Sequence, residues 1–170
     1  MPSIVRDANE GDASEIARIY NYSVEHSLAV FTETKSTPEE RLTWLRTRRA
    51  AGYPVLVAAQ GDLVLGFASF ADFRPWPGYR YTVEHSVYVA DGHQGRGIGT
   101  SLMRRLFDVA SLQGKRTMVA GVEASNRASL QFHERLGFER AGTLPSVGFK
   151  FGRFVDLTLL YRPLTDDAGP

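Results

Sequence analysis

Apolar residues recur along the chain at two spacings, alternate positions and every third or fourth position, and the switches between them mark out the elements. Ile4 and Val5 open as a short strand. Ile16, Ile19, Tyr20 and Ser23 then share one face of a helix that Asp12 can cap. Thr37-Pro38-Glu39-Glu40 supplies an N-cap hydroxyl, a proline at the first helical position and a glutamate at the third, which predicts a second helix carrying Leu42, Trp44 and Leu45. Residues 54–59 and 63–70 are β-rich runs joined at Gln60-Gly61-Asp62 and predict an antiparallel hairpin. Pro75, Pro77 and Gly78 break regular structure over residues 72–80, leaving an excursion that carries Arg74 and Trp76.

Residues 81–90 predict a long strand. Ile98, Leu102, Met103, Leu106, Val109 and Ala110 follow at helical spacing until Gly114. A buried strand over 117–122, a helix over 125–136 ended by Gly137, and closing strands over 138–141 and 154–161 complete the chain. The order is β-α-α-β-β-β-α-β-α-β-β, a mixed α/β domain over residues 1–164 with 165–170 as a loose C-terminal tail.

Composition narrows the chemistry. At 170 residues and 43% hydrophobic, the chain has material for one continuous core. Lys+Arg 20 against Asp+Glu 19 leaves a net charge of +1, without the basic excess that nucleic acid or an anionic membrane demands, so neither is an expected partner. With no cysteine there is no disulfide framework, cysteine nucleophile or thiolate zinc site. His26 and His93 have no partner at metal-ligand spacing, so no metal is expected. No signal-like apolar run opens the sequence, and a cytoplasmic location is expected.

The stretch from Val87 to Thr100 places Gly95, Gly97 and Gly99 between a strand and a helix start, where free N–H groups and the positive end of the helix dipole suit a pyrophosphate. A P-loop needs a lysine that is absent here, and a dinucleotide fold needs Gly-x-Gly-x-x-Gly on an opening βαβ unit. Gln94-Gly95-Arg96-Gly97-Ile98-Gly99 instead resembles the Gln/Arg-x-x-Gly-x-Gly/Ala loop of the GCN5-related N-acetyltransferases. Asn126-Arg127-Ala128-Ser129-Leu130 and Leu136-Gly137-Phe138 are similar to that superfamily's Asn-x-x-Ala helix and Leu-Gly-Phe ending, and the element order agrees over nearly the whole chain. The resemblance implies a mixed central sheet with splayed strands that bind acetyl-CoA, flanked by helices. It also implies cofactor contacts at Gln94, Gly95, Arg96, Gly97, Ile98, Gly99 and Thr100, a pantetheine arm pairing with Val87, Tyr88 and Val89, and further contacts at Asn126 and Ser129.

A closer resemblance is to the phosphinothricin and methionine sulfone/sulfoximine N-acetyltransferases. Trp76 in its proline-rich loop, Thr82 through Val89, and Val147 through Leu157 carry it. Arg74-Pro75-Trp76 and Phe151-Gly152-Arg153 resemble the methionine-sulfone branch, phosphinothricin enzymes tending to have histidine where Phe151 stands. This implies acetyl transfer to the amino group of a small amino-acid analogue.

An amino-acid substrate arrives as an ammonium, so a base must take its proton before nitrogen attacks the thioester. Glu84 is the candidate; a solvated or salt-bridged strand glutamate is the competing reading. Strand alternation puts Glu84, Ser86 and Tyr88 on one face and His85, Val87 and Val89 on the other. Phe31, Arg74, Pro75, Trp76, Glu84, His85 and Ser86 are candidate substrate contacts. Arg74 suits a carboxylate and Trp76 a pocket wall, against surface and anchoring roles for both. Many relatives place a tyrosine seven residues after the helix asparagine to protonate the leaving thiolate. His133 stands there, as an acid, a CoA contact or a satisfied helix histidine. Phe31 either completes the pocket or packs in the core, Lys150 is left between the same two readings, and Arg104-Arg105 face either the cofactor's ribose phosphate or solvent. Phe149, Phe151 and Phe154 suggest the shared interface of a homodimer, as the resemblance implies. Acetylation of another amine (a peptide N-terminus, a polyamine or an aminoglycoside) and a non-catalytic acyl-CoA sensor are the alternative functions.

Overall fold

The computed structural model describes residues 3–164; the expected tail at 165–170 lies outside them. The elements are β1 (Ile4–Asp7), α1 (Ala13–His26), α2 (Pro38–Ala50), β2 (Val55–Gln60), β3 (Leu63–Asp72), β4 (Thr82–Val89), α3 (Ile98–Leu112), β5 (Thr117–Glu123), α4 (Arg127–Arg135), β6 (Glu139–Lys150) and β7 (Arg153–Pro163). This is the order read from the sequence. The strands form one seven-stranded sheet ordered β1-β2-β3-β4-β5-β7-β6. The β4–β5 pair is parallel, while β1–β2, β2–β3, β5–β7 and β6–β7 are antiparallel, so the sheet is mixed. The chain forms two compact units, residues 3–70 with 86–106 and residues 71–85 with 107–164.

In the first unit α2 begins as expected. Thr37 Oγ1 accepts from the Glu40 N–H at 3.1 Å, and Glu40 answers by accepting from the Thr37 N–H at 2.8 Å. The start of α1 differs from the expected Asp12 cap. Asp12 occupies the N-cap position without capping, because its carboxylate accepts from the Asn9 N–H at 2.7 Å and from both ends of the Arg6 guanidinium at 2.7 and 2.9 Å. Asn9 caps the preceding 3₁₀ turn instead. The core gathers Ile16 and Ile19 of α1, Leu45 of α2, and Val55, Val57, Val64 and Phe67 of β2 and β3, with Tyr20, Trp44 and Tyr88 packed against it. Glycine is required at 66: a Cβ there would lie 2.7 Å from the Tyr88 carbonyl oxygen and 3.2 Å from both Ile98 and Leu102.

In the second unit β4 pairs with β5 over only three positions, Thr82↔Thr117, Val83↔Met118 and Glu84↔Val119. β6 and β7 run well beyond the short strands expected. They close on Phe151-Gly152, both at positive φ (51° and 74°), the arrangement of a two-residue type I′ hairpin turn. Phenylalanine rarely takes that conformation, which hid the turn in the sequence. The 72–80 excursion is irregular apart from one 3₁₀ turn, Pro77–Tyr79. Lys115 braces its end, donating to the Arg80 carbonyl at 2.7 Å and lying 3.5 Å from Asp72.

Candidate active site

The glycine loop in the first unit is built as a donor cradle. Ala90 follows β4 and is buried, its N–H donating to the Leu65 carbonyl, and Ile98 is buried at the other end, so the loop is anchored on both sides. Between them Gly92, Gly95 and Gly97 adopt φ of 73°, 75° and 79°, and nothing lies within 4 Å of the Cβ position at any of the three. Gln94, Gly95, Arg96 and Gly97 are exposed. Ser101 donates to the Gly97 carbonyl at 2.9 Å, so the N–H groups of Ile98, Gly99 and Thr100 precede the helical ladder and face out of the end of α3. Successive outward donors at a helix start, with open space before them, fit the pyrophosphate of a coenzyme A thioester. His93 Nδ1 is buried without a partner among the described residues.

Val87, Tyr88 and Val89, named for backbone contacts, end β4 half-buried, and Ser86 precedes them. The Tyr88 ring stacks on Phe67, 4.8 Å between centroids, and meets Tyr20 edge-on. Burial pushes its phenol up to about 12. Phe31 is half-buried after α1.

The second unit carries the ionisable candidates. Glu84 is half-buried on β4, with Oε1 3.4 Å from the Cβ position of Gly121 on the neighbouring β5. Burial raises its pKa above the ordinary carboxylate value, and the Arg74 charge opposes that shift. Arg74 is exposed; its guanidinium lies 4.1 Å over the Phe73 ring and donates to the Phe73 carbonyl, while Tyr79 packs edge-on against that ring. Pro75 and Trp76 are exposed, Trp76 at 71%. Lys150 is fully buried, its ammonium 4.7 Å from the Phe151 ring.

His85, named above as a substrate contact, turns to the opposite face from Glu84, as alternation requires, and meets α4. Its Nε2 lies 3.1 Å from Nε2 of His133, and both rings pack against Phe138. His133 Nδ1 is 2.7 Å from the Ser129 carbonyl, which can only accept, so Nδ1 carries the proton. In the neutral ring Nε2 is then a bare acceptor, and His85 Nε2–H is its donor. The same count leaves His85 Nδ1 without a proton, and it is buried with no partner among the described residues. Burial lowers the pKa of both rings, His85 well below the usual histidine value and further depressed by His133. Asn126 Oδ1 accepts from the Ser129 N–H at 3.1 Å and caps α4, leaving the amide NH₂ to reach a ligand. Sequence reasoning named both histidines but missed their pairing; one signal was available, since His133 sits two residues from the end of a short helix beside Phe138.

A donor loop at a helix start, open before its glycines, is a feature of acyl-CoA-dependent transferases. The acetyltransferase (GNAT) family model matches residues 17–138, and the chain belongs to that family. It is 45% identical over 166 residues to the L-methionine sulfoximine/L-methionine sulfone acetyltransferase of Salmonella typhimurium, covering 98% of this chain and 97% of the relative. Identity is 39% over 163 residues to the phosphinothricin N-acetyltransferase of Streptomyces coelicolor, with 94% and 95% covered. Among solved structures, the acetyltransferase yncA of Salmonella typhimurium with its cofactor acetyl-CoA superposes with a TM-score of 0.95 at 44% identity, covering 100% of this chain and 98% of that one. Among the described residues, no helix is long and apolar enough to cross a membrane, and no group of three or more His, Asp or Glu side chains forms a metal site.

Proposed function

We propose that this chain acetylates the α-amino group of a small amino-acid analogue, methionine sulfone or methionine sulfoximine, with phosphinothricin a poorer substrate. The Salmonella relative's named substrates support the choice, as does Phe151 where phosphinothricin enzymes tend to have histidine. Bound acetyl-CoA would supply the acetyl group as a thioester: its carbon–sulfur bond would break as the substrate nitrogen bonds to the acetyl carbon, and the departing thiolate would take up the second proton that nitrogen sheds.

Glu84 is the general base. Its raised pKa brings it nearer the ammonium's own, easing proton removal directly or through one water. This half-buried carboxylate, on the strand that runs into the glycine loop, is the observation that carries the reading. The N–H groups of the loop, with Gln94, Arg96 and Thr100, hold the pyrophosphate; the backbone of Val87 to Val89 and the Asn126 amide hold the pantetheine. Arg74 leaves the Phe73 ring to take the substrate carboxylate in a two-pronged contact, and Trp76 and Phe31 wall the side chain. His133 contributes by position, since its ring proton is committed to the Ser129 carbonyl. Exposed Phe149 and Phe154 on the β6–β7 hairpin support a homodimer.

Acetyl-CoA-dependent thiol release is the test, with methionine sulfone, methionine sulfoximine, phosphinothricin, methionine and spermidine as acceptors. Saturable turnover with the sulfone and sulfoximine is expected. Turnover with spermidine alone overturns the amino-acid reading, and acetyl-CoA binding without turnover of any amine favours a sensor.

A further inference from the structure

A hydrogen-bonded chain runs through the second unit. His85 Nε2–H donates to His133 Nε2 at 3.1 Å, His133 Nδ1–H donates to the Ser129 carbonyl at 2.7 Å, and the Ser129 N–H donates to Asn126 Oδ1 at 3.1 Å. It starts at the residue after the proposed base, Glu84, on the other face of β4, and ends on the residue that caps α4. We propose that His85 is a positioning residue for acetyl transfer, fixing the His133 tautomer and, through Ser129, the orientation in which Asn126 presents its amide to the coenzyme. The inference rests on the acetyltransferase reading above.

The chemistry of the links favours positioning over packing. A histidine pair in van der Waals contact needs no particular tautomer, yet here every nitrogen but one is committed in a fixed order. That one, His85 Nδ1, is buried as a bare acceptor, an unmet polar atom the fold tolerates in exchange for the donor on the other side of the ring. An apolar residue at 85 would fill the same space beside Phe138 without it. Removing the donor leaves His133 Nε2 in turn unsatisfied, and the ring's alternatives are to rotate or to release the Ser129 carbonyl. Either movement is transmitted to Asn126 through one helical turn. The coenzyme arm is therefore held correctly only while the donor at 85 is present.

The test compares His85→Leu, which keeps bulk without a donor, with His85→Gln, whose amide can still donate to His133. Nitrogen-15 NMR of the wild-type rings provides a readout independent of turnover. The expected spectrum has His133 protonated at Nδ1 and bare at Nε2, with His85 protonated at Nε2. Acetyl-CoA affinity, by calorimetry, is expected to fall about tenfold in His85→Leu, the effect of one net hydrogen bond, and to recover to within about threefold in His85→Gln. KM for methionine sulfone should stay within about twofold in both. A wild-type His85 protonated at Nδ1, or a folded His85→Leu with wild-type acetyl-CoA affinity, overturns the proposal even if the enzyme is active. If His85→Leu fails to fold, the His85→Gln affinity and the tautomers decide. An inactive wild type that binds acetyl-CoA and shows the expected tautomers and loss of affinity overturns the acetyltransferase reading but upholds the role of His85 in holding the coenzyme.

Discussion

The Glu84 carboxylate stands 3.4 Å from the point that a Cβ would occupy on Gly121, with Leu157 Cδ1 3.3 Å from the same point. The missing side chain at 121 leaves the proposed base its room. Gly121→Ala should push Glu84 and Leu157 aside by a few tenths of an ångström. Misplacement on that scale is expected to lower kcat about threefold to tenfold, because alignment of base and amine is steeply sensitive to distance. Steady-state kinetics with methionine sulfone, beside a melting curve unchanged within a few degrees, checks this.

Glu84→Gln should abolish the proposed base function while keeping shape. The expected kcat loss is about 10²- to 10⁴-fold with acetyl-CoA binding retained. The wild-type kcat/KM profile should show its acid limb above the ordinary carboxylate pKa, as the direction of the shift requires. Stability follows with the opposite sign. The folded pKa lies above the unfolded one, so ionising Glu84 costs stability as pH rises through that interval and the cost persists above it. Glu84→Gln is therefore expected to melt higher than wild type at pH 7 and equally below about pH 4, where both states hold the proton. A lower Tm at neutral pH contradicts the assigned shift.

Acid should weaken the histidine pair. Both rings have folded pKa values below the unfolded value of about 6.5. The stability linked to keeping them neutral is present above that value and is lost as pH falls below it toward the folded pKa values. Denaturant melts of wild type and of His133→Phe, run from pH 7.5 to 5, should diverge, with wild type losing more stability over the lower half of the range. Parallel curves would leave the pair without this linkage.

Arg74→Lys retains charge but loses the planar fork. KM for methionine sulfone is expected to rise about tenfold with KM for acetyl-CoA unchanged, since the proposed two-pronged carboxylate contact would be replaced by a point charge. Kinetics varying each substrate in turn separates this from a general loss of activity.

Gly66→Ala tests the packing beneath the strand. The added carbon would press the Tyr88 carbonyl from 2.7 Å, and that contact is to backbone, which yields less readily than a side chain. A loss of about 1–3 kcal/mol in denaturant unfolding is expected, together with weaker acetyl-CoA binding, because the displaced carbonyl belongs to the stretch assigned to the pantetheine.

Much of this was legible in the sequence wherever the signal is local. The Thr37–Glu40 capping box, the Gly61 hairpin and the glycine loop each encode their geometry within a few residues, and each appears where its pattern placed it. What escaped depended on partners distant in sequence or on an unusual conformation. Asp12 carries a cap residue's chemistry, but Arg6 on β1 competes for it. The β6–β7 hairpin turns on a phenylalanine in the left-handed region. Strand alternation separated Glu84 from His85 as the structure does, while the 48-residue separation of His85 and His133 is closed only by the packing of α4 against the sheet.

Tyr88, held neutral by a pKa near 12, has a consequence for the enzyme's proton traffic. A phenol so reluctant to ionise is a poorer proton donor to a departing thiolate than an ordinary tyrosine and, already protonated, takes none from an ammonium. Of the three side chains on the β4 face shared by Glu84, Ser86 and Tyr88, the carboxylate is then the one proposed to exchange a proton. The strand reads as a single-port device, with one titration to follow and one substitution that closes it.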